Sequence, residues 1–91
     1  GTFDRVVMNP PFSNKQDIDH VYMAFQCLKP GGILAAIMSG GTRLRSDKKT
    51  TAFRNWLELH NGQMWDNEPK AFHASGTDVS TVMIQVRKPA L

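Results

Sequence analysis

Apolar runs alternate along the chain with segments that have helical spacing. The run from Phe3 to Met8 ends in three apolar residues and is followed by two prolines, which cannot donate hydrogen bonds to a sheet. The run from Ile33 to Met38 is apolar throughout. Runs of this kind, bounded by turn residues, predict buried strands of the parallel type. Apolar residues at helical spacing between them predict a helix from about Lys15 to Leu28.

Polar residues supply start and stop signals for this helix. Ser13 and Gln16 have the spacing of a capping box, and Asp17 and Asp19 place negative charge in the first turn, where it suits the helix dipole. The turn at 29–32 (Lys-Pro-Gly-Gly) is predicted to end the helix, with glycine available for a left-handed conformation. Strand, helix and strand together predict a βαβ unit with a right-handed crossover.

The second half of the chain has a less regular pattern. It predicts a loop from Gly40 to Thr50, a helix from Thr51 to His60, a short strand from Gln63 to Asp66, a loop from Pro69 to Asp78 and a strand from Val79 to Val86. Because a loop and not a helix joins the last two strands, we expect them to be antiparallel or near neighbours. The sequence therefore predicts an α/β fold, a mixed β-sheet with flanking helices.

Composition limits the classes of protein. With 91 residues, 41% hydrophobic and 21% charged, the chain is at most one globular domain. The sequence shows neither a membrane span nor a secretory signal, so we expect a cytoplasmic protein without a membrane partner. A single cysteine, Cys27, suits a reducing compartment and excludes both an internal disulfide framework and a cysteine-cluster zinc site. Gly1 opens the chain almost directly on a predicted buried strand, so we expect further residues upstream.

Several chemistry-bearing side chains have ordinary structural interpretations. His20, His60 and His73 are too dispersed to form a metal site, and no metal is expected. We interpret His20 as an exposed helix residue. Cys27 is interpreted as a packing residue because no base is placed to activate it, and Trp56 as a core residue.

Asn9-Pro10-Pro11-Phe12 carries the strongest chemical signal, because it follows the first strand. Ligands of open α/β sheets bind beyond the carboxyl ends of the strands. The Asn9 amide oxygen and the Pro10 carbonyl are two acceptors that suit a planar amino group, and Phe12 can stack on the ring that bears it. Two positioned acceptors would orient the nitrogen lone pair toward an electrophile. The alternative is a strand-ending turn with a solvent-facing Asn9.

The stretch from Val6 to Phe12 resembles the (Asp/Asn/Ser)-Pro-Pro-(Tyr/Phe/Trp) motif of class I S-adenosylmethionine-dependent amino-methyltransferases. The resemblance continues through the predicted helix, turn and strand that follow. It covers nearly all of the chain, and later blocks look like the adenine-N6 DNA methyltransferase-like branch known from restriction-modification and phage settings: Phe53–Leu57 and Ala71–Thr77. It implies a Rossmann-like, seven-stranded class I methyltransferase fold of which residues 1–91 form one partial domain, the C-terminal half with strands four to seven.

By this resemblance, the motif is the catalytic site for methyl transfer to an exocyclic amine, with adenine N6 in DNA as the expected target. Asn9 and the Pro10 carbonyl would hold the amine, Pro11 would keep the turn rigid, and Phe12 would stack on the base. The family holds its cofactor with a glycine-rich turn and an acidic residue that have no counterpart here. Asn9 would therefore form only the edge of the S-adenosylmethionine site, and we expect the chain to be inactive without the N-terminal half of the domain.

Basic residues suggest a nucleic-acid partner, with DNA expected. The net charge is +3, and five of the eleven Lys and Arg residues lie within the twelve positions from 43 to 54. Since this segment follows the second strand, phosphate contacts are expected from Arg43, Arg45, Lys48 and Lys49. The alternative is an ordinary solvated face.

A later loop is a second candidate for substrate contact. If the third strand runs parallel to the first, the loop at 69–78 emerges at the same edge as Asn9. Phe72 and the Ser75-Gly76-Thr77 turn would then flank the substrate. The alternative for Phe72 is a hydrophobic plug under its own loop.

Other functions remain open at this point. The same motif serves enzymes that methylate guanine N2 in RNA or a protein glutamine, and a non-catalytic nucleic-acid-binding or scaffold fragment would also suit the basic residues. An exposed sheet edge would in addition favour self-association.

Overall fold

A computed structural model describes residues 1–67 and 80–90. The chain forms β1 (Phe3–Met8), a 3₁₀ turn (Ser13–Lys15), α1 (Gln16–Gln26), β2 (Leu28–Ser39), α2 (Gly41–Leu44), α3 (Lys48–Leu59), β3 (Gln63–Asp66) and β4 (Thr81–Arg87). The α/β class predicted from the sequence is confirmed. In the described part of the chain, no helix combines the length and the apolar character that crossing a membrane requires.

The four strands form one mixed sheet in the order β1-β2-β4-β3. β1 and β2 are parallel, whereas β4 is antiparallel to both β2 and β3, as predicted for the last pair. β3 therefore runs in the same direction as β1 and β2. The ends of β1, β2 and β3 and the start of β4 lie along one side of the sheet, which we call the carboxyl edge.

The start of α1 differs from the predicted capping box. Lys15 is the residue before the helix, no side chain caps it, and both Asn14 (φ 53°) and Lys15 (φ 59°) have left-handed backbone conformations. The capping-box prediction from Ser13 and Gln16 is therefore wrong. A capping residue ordinarily has an extended backbone, and the tight turn that precedes α1 excludes that geometry.

The Lys-Pro-Gly-Gly segment at 29–32 does not end the helix. α1 ends at Gln26, and β2 already begins at Leu28, so the segment lies within a strand. Gly31 has φ 82°, and the β1–β2 register shifts beside this segment. The Gly31 N–H donates to the Lys88 carbonyl (2.9 Å), and the Lys88 N–H donates to the Gly32 carbonyl (2.8 Å). The glycines thus shape a strand irregularity that a residue with a Cβ would strain.

α3 begins three residues before its predicted start, and α2 occupies part of a predicted loop. Asp47 caps α3: its carboxylate accepts the Thr50 N–H (2.9 Å) and the Thr50 hydroxyl (2.9 Å). The first turn is Lys-Lys-Thr, so hydrophobic periodicity carries no signal there. A capping carboxylate supplies the missing partner for a backbone N–H that the helix itself cannot satisfy.

This cap makes the stability of the folded protein depend on pH. The hydrogen bond from the Thr50 backbone, with help from the Thr50 hydroxyl and Lys15, lowers the pKa of Asp47 from 3.8 to about 2. Because the folded state holds the charged form, the stabilisation is present above about pH 4 and is lost as the pH falls toward 2. We expect the urea midpoint to fall over this interval. Asp47→Asn, which caps but does not titrate, should show a shallower fall, and an equal fall in both proteins would contradict the assignment.

α1 and α3 cover one face of the sheet. They bury Ile18, Val21, Phe53 and Leu57 against alternate residues of β2 and β4. Trp56 is half-buried and packs against this core, where its ring lies 5.2 Å from that of Tyr22. Trp56, which was interpreted as a core residue, therefore lies at the margin of the core.

The other face of the sheet is open in the part of the chain that the structure describes. Val7 is 83% exposed and Trp65 is 44% exposed, and β2 turns half-buried apolar side chains to this side. Among the described strands, β1 has one neighbour and a free outer edge. Self-association through this edge stays a prediction.

Candidate active site at the carboxyl edge of the sheet

The Asn-Pro-Pro-Phe turn begins directly after β1. Asn9 is exposed, and its side chain makes no hydrogen bond to any described residue. Pro10 is buried, and Phe12 is half-buried. The turn therefore presents a free amide at the carboxyl edge on a base that is fixed by a buried proline.

The chain turns sharply after Phe12 and enters α1. The Phe12 carbonyl accepts the Lys15 N–H (3.1 Å). The two left-handed residues that follow Ser13 complete the reversal. Seven residues thus connect the end of β1 to the start of α1, which keeps the free amide of Asn9 and the ring of Phe12 in one short segment.

Asp17 lies just after the turn, where its sequence position predicted only an interaction with the helix dipole. It is fully buried. Its Oδ1 accepts the Ile18 N–H (3.0 Å), and its Oδ2 accepts the Ser39 N–H (3.0 Å) at the end of β2. Helical spacing indicates the burial of Asp17, because Asp17 precedes the apolar Val21 by four residues and so lies on the same, buried side of α1.

Two hydrogen bonds hold the end of β2, one within the turn that follows it and one to the residue that precedes β4. The Ser39 hydroxyl accepts the Gly41 N–H (3.2 Å), and the Gly40 N–H donates to the Ser80 carbonyl (2.9 Å). A Cβ at Gly40 would collide with the Ser80 side chain, so this position requires glycine. At the end of β3, the Asn67 side chain donates to the Thr81 hydroxyl (3.0 Å).

Two of the four predicted phosphate-binding residues lie in α2 and directly after it. The Arg43 Nε donates to the Asp66 carboxylate (2.7 Å), which ties α2 to the end of β3. The Arg45 Nε donates to the Thr50 hydroxyl (3.1 Å) and lies 3.7 Å from the Asp47 carboxylate. Both guanidinium groups therefore have partners within the molecule.

The two lysines of α3 differ from each other. The Lys49 ammonium lies 2.8 Å from the Asp19 carboxylate of α1. Lys48 is exposed, and it makes no ion pair to a residue that the structure describes. Among the residues that the structure describes, Lys48 is thus the one of these four whose charge has no internal partner that an external anion would displace.

Four predicted substrate-binding residues lie outside the described residues: Phe72, Ser75, Gly76 and Thr77. The geometric condition on which that prediction rested does hold, since β3 runs parallel to β1. The described residues on either side, Asn67 and Ser80, both lie at the carboxyl edge. The roles of the four residues stay predictions.

The remaining candidates lie away from the turn. Cys27 is exposed, so its interpretation as a packing residue is wrong: the helix ends beside it, and its carbonyl accepts the Thr2 and Phe3 N–H groups at the start of β1. His20 is exposed, as predicted. Within residues 1–67 and 80–90, no three His, Cys, Asp or Glu residues are grouped as metal ligands would be.

These features define a class of fold. The mixed sheet with its flanking helices is a Rossmann-like fold, and the Asn-Pro-Pro-Phe turn lies at the carboxyl edge, where open α/β sheets bind their ligands.

Comparison with one solved structure supports this fold, and a second is reported beside it. The crystal structure of cofactor-bound Rv0187 from MTB matches 98% of this chain over 42% of its own length, with a TM-score of 0.51 and 12% identity. The M1.HpyAVI–SAM complex matches 97% of this chain over 44% of its own length, with a TM-score of 0.47 and 15% identity. The chain thus spans less than half the length of either structure. No protein-family model and no curated protein matches it.

Proposed function

We propose that this chain forms the target-amine site of an S-adenosylmethionine-dependent methyltransferase that acts on an exocyclic nitrogen, with adenine N6 in DNA as the substrate. The observation that carries the proposal is the exposed Asn9 amide at the carboxyl edge, which bonds to no described residue and lies on a turn fixed by buried Pro10. The Rossmann-like fold supports it, because ligands of open α/β sheets bind at this edge, and the structure of similar fold, Rv0187, is cofactor-bound.

The turn has the groups that this chemistry needs. The Asn9 oxygen and the Pro10 carbonyl would each accept one N–H of the amino group, which withdraws the nitrogen lone pair from the ring and orients it. Phe12 would hold the base by stacking. S-adenosylmethionine, when bound, would supply the methyl group, and its sulfur–methyl bond would break as the nitrogen–carbon bond forms, with the neutral thioether as the leaving group. The nitrogen held by Asn9 and the Pro10 carbonyl would become cationic and release its proton to solvent, so no strong base would be needed.

The proposal requires S-adenosylmethionine, which supplies an electrophilic methyl group when bound. Asn9 fits the edge of such a site, since its amide is free. The described glycines do not form the rest: Gly31 and Gly32 shape β2, and Gly40 packs on Ser80. We therefore propose that residues 1–91 are one part of a catalytic domain and that other parts of that domain complete the cofactor site.

The substrate is tested with the full-length protein and methyl-labelled S-adenosylmethionine. Separate reactions contain duplex DNA, structured RNA and a glutamine-bearing protein. We expect label in DNA, recovered as N6-methyladenine. Label in RNA as N2-methylguanine, or in protein glutamine, would overturn the DNA assignment while leaving amine methylation in place. Absence of transfer to every substrate would overturn the proposed function.

Two neighbouring lysines are expected to differ in how much they contribute to DNA binding. Lys48→Ala should weaken DNA binding and reduce the salt dependence of log K by about 1, because one phosphate contact is lost. Lys49→Ala is the matched control, since its ammonium already pairs with Asp19 at 2.8 Å. Fluorescence anisotropy over a salt series measures both. Equal effects of the two variants would contradict the distinction.

A further inference from the structure

A buried carboxylate connects the candidate active-site turn to the neighbouring strand. Asp17 is fully buried in the first turn of α1, yet its two oxygens accept N–H groups from two different elements: Ile18 in α1 and Ser39 at the end of β2. A buried carboxylate that lacked these donors would be strongly destabilising. The arrangement therefore couples the position of α1 to that of β2.

The Ser39 N–H needs this partner because β1 stops early. The β1–β2 register ends with Met8 opposite Ala36, and three residues further along the same register Pro11 would stand opposite Ser39. The prolines turn the chain out of the sheet before it reaches that point. The Gly40 N–H points to β4, where it donates to the Ser80 carbonyl, so by alternation the Ser39 N–H points to the side of β1.

Asp17 thus replaces the carbonyl that a longer β1 would have supplied. The same Pro-Pro turn that exposes Asn9 leaves the Ser39 N–H without a strand partner, and Asp17 restores that hydrogen bond from the far side of the turn. The turn is consequently anchored at both ends to β2, by the ladder before Asn9 and by the carboxylate after Lys15.

We propose that Asp17 is the positioning residue of the Asn-Pro-Pro-Phe turn, holding Asn9 and Phe12 at a fixed place relative to the end of β2. Asp17 does not touch the target amine; it acts through the Ser39 hydrogen bond. The catalytic part of this inference rests on the proposed function, whereas the anchoring part does not.

The experiment compares Asp17→Ala with a matched control, Val21→Ala, in the full-length protein. Val21 is equally buried on α1, one turn further on, but is apolar and cannot bond to Ser39. Hydrogen exchange is measured for the Ser39 amide and for the amides of residues 12–15. With overall stability matched by temperature, we expect exchange in Asp17→Ala to be about tenfold faster than in Val21→Ala, since a charged hydrogen bond is lost. Equal exchange in the two variants would overturn the proposal.

Two further measurements test whether Asp17 anchors the turn. Should Asp17→Ala not fold, Asp17→Asn keeps one acceptor oxygen and should show an intermediate rise in exchange. In the unchanged protein, the Ser39 amide should exchange as slowly as the Ala35 amide, whose N–H faces β1 within the β1–β2 ladder by the same alternation. Rapid exchange at Ser39 in the unchanged protein would overturn the anchor without any variant.

Methyl transfer gives the catalytic readout. We expect Asp17→Ala to lower kcat at least tenfold, with KM for S-adenosylmethionine little changed, and Val21→Ala to lower it less. A fall in kcat no larger than that of Val21→Ala would overturn the positioning role. If the unchanged protein transfers no methyl group to any substrate, the proposed function fails, while the exchange data still decide whether Asp17 anchors the turn.

Discussion

Replacing Asn9 by Ala should reduce methyl transfer by the full-length protein about a hundredfold or more, expressed in kcat. Asn9 is the exposed amide at the carboxyl edge, and its oxygen is one of two acceptors proposed to orient the target amine. A donor or acceptor aimed at the charge that changes in the transition state typically contributes 10²–10³ in rate. Because Asn9 is proposed to form only the edge of the cofactor site, KM for S-adenosylmethionine should change much less than kcat.

Single-turnover transfer to a duplex oligonucleotide measures this effect directly. Asn55→Ala is the matched control: Asn55 is an exposed asparagine on α3, outside the turn. Asn9→Asp should retain more activity than Asn9→Ala, since a carboxylate keeps the acceptor oxygen. DNA affinity should persist in all three variants. A normal rate in Asn9→Ala would remove Asn9 from the mechanism and with it the main support for the proposed function.

The largest loss of stability is expected from Phe53→Ala. Phe53 is fully buried on α3, and its ring packs 5.7 Å from that of Tyr22 and 5.6 Å from that of Trp56. Truncating a buried phenylalanine removes its transfer free energy and leaves a cavity, which together cost about 3–5 kcal/mol. The loss should be large because Phe53 joins α3 to α1 over the covered face of the sheet.

Urea unfolding followed by circular dichroism measures the effect. Leu59→Ala is the control on the same helix, because Leu59 is 82% exposed and its truncation should change the free energy of unfolding by about 0.5 kcal/mol or less. Similar free energies of unfolding for the two variants would show that the core does not centre on Phe53.

Local patterns in the sequence were sufficient to predict most of the strands and helices. Six unbroken apolar residues in β2 and the spacing of Ile18 and Val21 in α1 are local signals, and the strands and helices that they predict are present. Element boundaries were less predictable where polar contacts decide them. The start of α3 depends on the Asp47 cap, and Gly31 and Gly32 belong to a strand irregularity whose partner, Lys88, lies far along the chain.

The candidate site also has parts that the sequence predicts and parts that it does not. The Asn-Pro-Pro-Phe turn was predictable because proline ends a strand wherever it occurs and the motif is contiguous. The ion pairs of Arg43 with Asp66 and of Lys49 with Asp19 were not, since their partners are 23 and 30 residues apart. A count of basic residues therefore overstated the charge that this surface offers to a phosphate.

The sequence by itself determined the α/β class, the end of β1 at the prolines and the position of a four-residue motif at that end, because each depends on neighbours along the chain. Only the tertiary structure decided which of the basic residues at 43–49 have partners among the described residues, and which N–H groups the Asp17 carboxylate accepts. Those outcomes depend on which distant N–H groups and charges meet when α1, α3 and β3 come together at the carboxyl edge, and a buried polar group must find such a partner wherever folding supplies one.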